Sequence, residues 1–383
     1  MNLLRIVSSV DRAHGGVAEA LFQSSKALER LGHKVQIISL DAPGSQAILE
    51  APVDVIALGP GVGTFGYSSR LDPWLTREAS AYDALIVEGL WQYHGQVGRR
   101  AALKSNVPYF VFTHGMLDPW FKRTYPLKHL KKSAYWLLFE QKVLRDASAV
   151  LFTTQAEREL ASESFKPYRV VEQVVGCGTR GTEGSADDQQ SAFNEAFPDL
   201  VGKPFFLFLG RINPKKGCDL LIDAFGRMSK SIPEMRLVMA GPDDANWGHD
   251  LRLKAAALGI GERVLWPGML KGDIKWGAFR NADAFILPSH QENFGVAVAE
   301  ALSVSCPVLI SDQVNIWQEI DSAGAGFVQP DSVEGCEALF SMFIELDDEK
   351  RSAMRLAARQ CFDQHFEATQ AARKLAQVIG EFL

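Results

Sequence analysis

The chain has 383 residues, enough for two domains that each bury a core of their own. Hydrophobic residues make up 47% and charged residues 22%, a globular balance, and the formal net charge of −6 argues against a general nucleic-acid binder, which needs a basic face. No uncharged apolar run reaches the ~18 residues needed to cross a bilayer, and Cys177, Cys218, Cys306, Cys336 and Cys361 form neither a CxxC pair nor a metal spacing, as suits reduced thiols in the cytoplasm.

In the first half, Leu3–Val10, Lys34–Leu40, Asp83–Gly89, Val107–Thr113 and Ala147–Thr153 read as strands, separated by helical stretches such as Val17–Leu31. The opening segment is broken by Arg5 and Asp11 and reads as a first core strand, not a signal peptide. Such alternation predicts an α/β, doubly wound parallel sheet with ligands at the C-terminal ends of its strands. Three strand-end features then become candidates. His14-Gly15-Gly16 follows the first strand, where a glycine pair lets backbone approach a phosphate, although no G-x-G-x-x-G fingerprint is present. Glu88-Gly89 ends the third strand, and Glu88, Trp91 and His94 are candidates for lining a second-substrate site. Thr113-His114-Gly115 ends the fourth and makes His114 a cleft candidate.

Residues 118–142 interleave Lys122, Arg123, Lys128, His129, Lys131 and Lys132 with Trp120, Phe121, Tyr125, Tyr135 and Trp136. Such a mixture suits an anionic membrane surface or a lipid-diphosphate. It equally suits a core-packed helix with a solvated cationic face, and the sequence does not separate the two. The polar stretch Thr179–Leu200 lacks clear periodicity and is read as a linker between a first domain, residues 1–180, and a second, residues 200–364.

The second half carries two motifs. Phe205–Leu209 is a short buried strand ended by Gly210, after which Arg211 and Lys216 stand in a loop before a helix that starts near Gly217. Cations at a strand's C-terminal end, facing a helix start, form an anion site. Hydrogen bonds to charged groups contribute around 1.5–3 kcal/mol each, so Arg211 and Lys216 can hold a diphosphate without a metal. Downstream, the apolar strand Asp283–Ser289 runs into HQENFGVAVAEAL, in which Glu292 and Glu300 stand eight positions apart around Phe294-Gly295-Val296. A helix start at Gly295 would offer free N–H groups to a phosphate. At about 100° per residue, eight steps bring Glu300 within roughly 80° of Glu292, so both carboxylates are expected to face one crevice.

GR-x4-KG, then about 75 residues, then E-x7-E with FG inside, resembles the retaining glycosyltransferases of family four, bacterial polysaccharide-biosynthesis type, along most of the chain. That resemblance implies a GT-B fold: two Rossmann-like domains facing across a cleft, with the final helix (about residues 365–383) packing back on the first. It assigns the donor diphosphate to Arg211 and Lys216, the sugar to Glu292 and His114, and the ribose to Glu300. The Phe294-Gly295-Val296 backbone and the Gly15-Gly16 loop fall near sugar and phosphate, and the nucleobase near Trp266–Lys271, at Met269 and Leu270. Glu88, Trp91 and His94 fall to the acceptor. It departs from the pattern at Val175-Gly176-Cys177-Gly178, where relatives often carry Asn-Gly, and at QENFG, where EGFG is commoner.

The chemistry so implied is transfer of a sugar from a nucleotide diphosphate to a glycan or polyprenol-linked hydroxyl, with anomeric configuration kept. UDP-glucose is the first expected donor and GDP-mannose the alternative. No D-x-D occurs, which fits a reaction needing no metal or cofactor. No second carboxylate offers itself for a double displacement, and the resemblance implies front-face departure, with the leaving phosphate helping to deprotonate the acceptor. The protein is expected in the cytoplasm, with peripheral contact at the inner face of the membrane as one reading of residues 118–142. A nicotinamide oxidoreductase would share the sheets but lacks its glycine fingerprint. A sugar-nucleotide epimerase, or a non-catalytic sugar-nucleotide module, would share the architecture.

Overall fold

A computed structural model of the chain describes residues 1–12, 16–243 and 246–383. They divide into two compact units, Met1–Thr179 with Ala368–Leu383, and Arg180–Glu367. Each is a parallel sheet covered by helices.

The first unit contains strands β1 (Asn2–Val7), β2 (Lys34–Ser39), β3 (Val55–Ala57), β4 (Ala84–Glu88), β5 (Tyr109–Phe112), β6 (Ala149–Phe152) and β7 (Glu172–Val174), in spatial order β3-β2-β1-β4-β5-β6-β7. Central strands are apolar runs because both faces are covered: every residue of β4, β5 and β6 is buried. Leu4, Ile6, Leu85, Val87, Val111 and Val150 fill one side of the sheet. Leu3, Ala84, Ile86, Phe110 and Leu151 fill the other, against the helices Gly16–Arg30 and Ala368–Gly380. Ala368, Ala372, Leu375 and Ile379 form the inward stripe of that last helix, which ties the end of the chain to the first unit.

In the second unit β8 (Phe205–Leu209), β9 (Arg236–Ala240), β10 (Val264–Gly268), β11 (Ala284–Leu287), β12 (Val308–Ser311) and β13 (Gly326–Gln329) are arranged in the order β10-β9-β8-β11-β12-β13. Both sheets therefore change winding direction once, between β1 and β4 and between β8 and β11. Loops leaving the carboxyl ends of such a strand pair diverge to opposite faces and open a crevice.

The stretch read as linker is not unstructured. It forms the helix Ala186–Ala196, capped by Ser185 and packed on the helix Gly272–Asn281. The two approach so closely that a Cβ on Gly277 would lie 2.0 Å from the Gln189 carbonyl oxygen. The buried side of this helix consists of Gln189 and Phe193, and Phe193 stacks on Phe205 with ring centroids 5.6 Å apart. So short an apolar stripe leaves little periodicity to read.

Candidate functional site

In the second unit, the loops after β8 and β11 meet at the sheet's switch point. The first holds Arg211 and then one 3-10 turn, Pro214–Lys216, which ends on Gly217 at φ +66 before the helix Cys218–Met228. A Cβ at Gly217 would lie 2.1 Å from the Pro288 carbonyl oxygen, so only glycine lets this loop press against the end of β11. The contact is sealed by the Lys215 carbonyl, which accepts from the Ser289 hydroxyl (3.0 Å) and the His290 amide (2.8 Å). His290 is held in turn through Nδ1 by Asp331, at 2.7 Å.

This docking brings Lys216 onto Glu292 as an ion pair, with side chains 21% and 18% exposed. Burial works to raise the Glu292 pKa. The charges of Lys216 and Lys215, with hydrogen bonds from Lys216 and the Gly295 amide, outweigh it and hold the carboxyl below its ordinary value. Glu292 precedes the helix and bridges to Val314, so the helical-wheel argument that placed it on one face with Glu300 does not apply. Gly295, at φ +77, caps the helix Val296–Ser303, and Phe294 turns its ring into the core, edge-on to Phe366.

Glu300, 7% exposed, sits in the second turn of that helix and accepts from Lys275 Nζ at 2.6 Å. Lys275 belongs to the helix Gly272–Asn281, and the sequence reading did not include it. Met269 (54% exposed) and Leu270 lie in the turn between β10 and this helix. The second unit thus holds two carboxylates, each paired with a lysine, one just before and one within the helix that starts after Gly295. Such pairs can exchange lysine–carboxylate contacts for the phosphates and hydroxyls of a ligand.

In the first unit, His14 and Gly15 lie outside the described residues, and Gly16 opens the helix Gly16–Arg30. His114 follows β5 in the left-handed region, at φ +48, with its ring stacked on Phe112 at 5.2 Å. Its Nε2 meets Glu88 Oε2 at 2.7 Å. Glu88 ends β4 with a fully buried side chain and accepts from Arg5 Nε at 2.7 Å through its other oxygen. Arg5 is anchored by the hydroxyls of Ser24 (3.0 Å) and Ser25 (3.2 Å). Burial alone would raise the Glu88 pKa; Arg5 and His114 bring it below the usual range.

The turn bearing His114 is clamped from beneath by Glu157. Its carboxylate accepts from Thr113 Oγ1 (2.5 Å), the Gly115 amide (2.6 Å), the Thr153 amide (2.8 Å) and Thr153 Oγ1 (2.7 Å). Sequence reasoning missed Glu157, although Thr154 caps its helix and Glu157 stands three residues on, a capping-box spacing.

The three residues expected at the acceptor are placed differently. Glu88 is spent on Arg5 and His114, so it orients the imidazole instead of offering a free carboxylate. His94 is 0% exposed. The first turn of its helix tucks the ring beneath the Glu88 carbonyl, 2.9 Å from Nε2, and burial lowers its pKa to about 4. Trp91, at φ +74, turns its indole into the core against Phe165 (5.0 Å) and Trp136 (6.2 Å). The open pocket at this switch point, about 440 Å³, is instead lined by Ser8, Ser9, Asp11, Asp41, Thr64, Gln92 and Met116, with the base of Glu88. Asp41 accepts from Ser9 Oγ (2.7 Å) and the Val10 amide (2.8 Å). Its place immediately after a predicted strand was a signal available in the sequence.

The family described as "Glycosyl transferases group 1" matches residues 190–361, and "Glycosyl transferase 4-like domain" matches residues 15–178. A D-inositol 3-phosphate glycosyltransferase of Nocardia farcinica is 26% identical over 226 residues, 57% of this chain and 50% of that one. An O-antigen chain mannosyltransferase C of Escherichia coli is 28% identical over 219 residues, 54% of each. The chain thus spans about half the length of these curated relatives. Among solved structures, Anabaena HepE in complex with UDP and glucose superimposes with a TM-score of 0.78 at 18% identity, covering 100% of both chains. WaaG, a glycosyltransferase involved in lipopolysaccharide biosynthesis, does so with a TM-score of 0.72 at 16% identity, covering 99% of both.

Proposed function

The chain belongs to the glycosyl transferases of group 1, and from that premise we propose that it moves a hexose from a nucleotide diphosphate to a hydroxyl of a glycan or polyprenol-linked acceptor, with retention of configuration. It is a transferase acting on sugar-nucleotide donors, with the α/β architecture of its GT-B neighbours. The observation that carries the finer reading is the Lys216–Glu292 pair at the second unit's switch point, beside the capped helix start at Gly295.

The donor pyrophosphate takes Lys216, Arg211 and the amide end of the helix Val296–Ser303 as its counter-charges, with no metal or cofactor. Negative charge grows on that pyrophosphate as the glycosidic bond breaks, and fixed cations in a partly buried loop stabilise it most where it is largest. Glu292, released from Lys216, accepts from the sugar hydroxyls. Glu300, released from Lys275, takes the ribose, and Met269 and Leu270 flank the base. UDP-glucose is the first donor and GDP-mannose the second. This order is supported by the UDP and glucose held by Anabaena HepE, with the Escherichia coli mannosyltransferase on the other side.

From the first unit we assign His114 to the transferred sugar and the pocket lined by Ser9, Asp41 and Gln92 to the acceptor. Departure and attack occur on one face, the leaving phosphate taking the acceptor proton. Among the described residues no helix is long and apolar enough to cross a membrane. We place the enzyme in the cytoplasm, at the inner membrane face.

The test is a thermal-shift screen of UDP, GDP, UDP-glucose and GDP-mannose, followed by NMR of the product formed with and without EDTA. Stabilisation by UDP and an α-linked product insensitive to EDTA support the reading. Preferential stabilisation by GDP moves the donor to GDP-mannose. An inverted anomer, or abolition by EDTA, removes the mechanism, and a converted sugar nucleotide without acceptor indicates an epimerase.

A further inference from the structure

The helix Pro126–Tyr135 continues through one π-helical turn, Trp136–Glu140, into Gln141–Arg145. Its inner face is core. Trp136, 1% exposed, stacks on Phe165 at 5.1 Å, His129 stacks on the same ring at 4.5 Å, and Val143 and Leu144 are buried. The aromatic residues that drew attention in the sequence therefore largely face the protein. The outer face is what the sequence pattern concealed. Leu127 is 81% exposed, Leu130 70%, Leu137 54% and Leu138 60%. With the exposed Ala134 between them, these residues fall within an arc of about 100° on a helical wheel.

Six of the seventeen large apolar side chains exposed among the described residues stand between Tyr125 and Phe139. Concentration on that scale marks an interaction surface, whereas scattered apolar residues do not. The exposed Lys128 and Lys131 run along one flank of the leucine stripe, Lys142 is exposed beyond the π-helical turn, and Lys122 and Arg123 extend the charge on the preceding short helix. From Pro119 to Phe139 there is no acidic residue, in a chain whose net charge is −6. An apolar stripe edged by cations matches a lipid surface, with acyl chains under the leucines and headgroup phosphates against the lysines. A protein partner would not require the acids to be absent over so long a run.

We propose that the helix Pro126–Arg145 lies in the plane of an anionic membrane, Leu127, Leu130, Leu137 and Leu138 inserted at the acyl boundary and Lys128, Lys131 and Lys142 on the headgroups. The inference builds on the transferase reading: it is where a lipid-linked acceptor would be met. Insertion is one-sided and needs no apolar span, so it is compatible with the charged residues on the same helix.

The test is co-sedimentation of the full chain with phosphatidylcholine vesicles, with and without phosphatidylglycerol. Wild type should prefer the anionic vesicles and be released by salt. The variant Leu127→Ser/Leu130→Ser/Leu138→Ser alters only exposed positions. It should bind about tenfold or more weakly while melting as wild type does. Lys128→Gln/Lys131→Gln/Lys142→Gln should lose the preference for phosphatidylglycerol. Equal wild-type sedimentation with both vesicles, or undiminished binding by the leucine variant, overturns the proposal. So does a wild-type dimer that the leucine variant loses, which would assign the stripe to a second copy. UDP affinity measured in parallel separates the readings. Loss of vesicle binding with UDP binding intact belongs to the membrane face alone, and absence of UDP binding in wild type would strike the donor assignment without touching the vesicle result.

Discussion

Replacing Glu88 with Gln tests whether a buried carboxylate acts through His114. The side chain of Glu88 is fully buried between Arg5 and His114. Truncation to Ala would strand the Arg5 guanidinium, and breaking a buried ion pair costs about 3–5 kcal/mol, so that variant confuses folding with function. Glu88→Gln keeps the volume and one acceptor for Arg5 but removes the charge that holds Nε2 of His114. Hydrogen bonds to charged groups contribute about 1.5–3 kcal/mol. If that orientation is needed in the transition state, turnover should fall about 10- to 100-fold, at roughly 1.4 kcal/mol per decade. Steady-state kinetics of Glu88→Gln, His114→Ala and the double variant form a cycle. A double variant little worse than His114→Ala alone supports action through the imidazole, whereas costs that simply multiply refute it. UDP affinity should be unchanged, because Arg211, Lys216 and Glu300, assigned to the nucleotide, all belong to the second unit.

Three further perturbations follow from the same geometry. Glu157→Ala leaves the buried Gly115 and Thr153 amides without this acceptor, at about 1–3 kcal/mol each. Calorimetry should show a lowered Tm, and turnover should drop with the loosened His114 turn; an unchanged Tm contradicts the clamp. Gly217→Ala adds a Cβ against the Pro288 carbonyl at a φ costing roughly 1–2 kcal/mol for an L-residue. UDP binding should weaken as the basic loop shifts, and wild-type affinity would deny that this docking matters. His94 is held neutral by burial, with a pKa near 4 against an ordinary 6.5. Only the unfolded chain takes its proton between those values, so stability should fall as pH drops from about 6.5, by up to roughly 3 kcal/mol, and level off near pH 4. Urea midpoints at neutral and acid pH should converge in His94→Asn relative to wild type; parallel losses would show that another group is responsible.

Much of the sheet framework was legible because buried parallel strands are apolar runs that end on glycine or a polar residue. Phe205–Leu209 was read to the residue, and Lys34–Leu40 to within one. Strands β3, β7 and β13 are three or four residues long and, apart from Gly326, only partly buried, so they lack that signature. At the site, Lys216 and Glu292 were legible as strand-end residues of opposite charge, but their pairing depends on Gly217 docking on Pro288, a tertiary fact. Trp91 and His94 were misread because the chain reverses at Gly89 and Trp91, both at positive φ, and the next helix turns inward. Lys275 and Glu157 act on residues 25 and more than 40 positions away, which one sequence does not disclose. Leu127 and Leu130 look like core residues on the page, and only tertiary packing shows which side of their helix faces solvent.

The central claim is that the cations after β8 hold the donor diphosphate. Calorimetric titration of UDP into wild type and Lys216→Ala tests it most directly. Affinity should weaken about tenfold or more in the variant. The same dissociation constant in both proteins would contradict it.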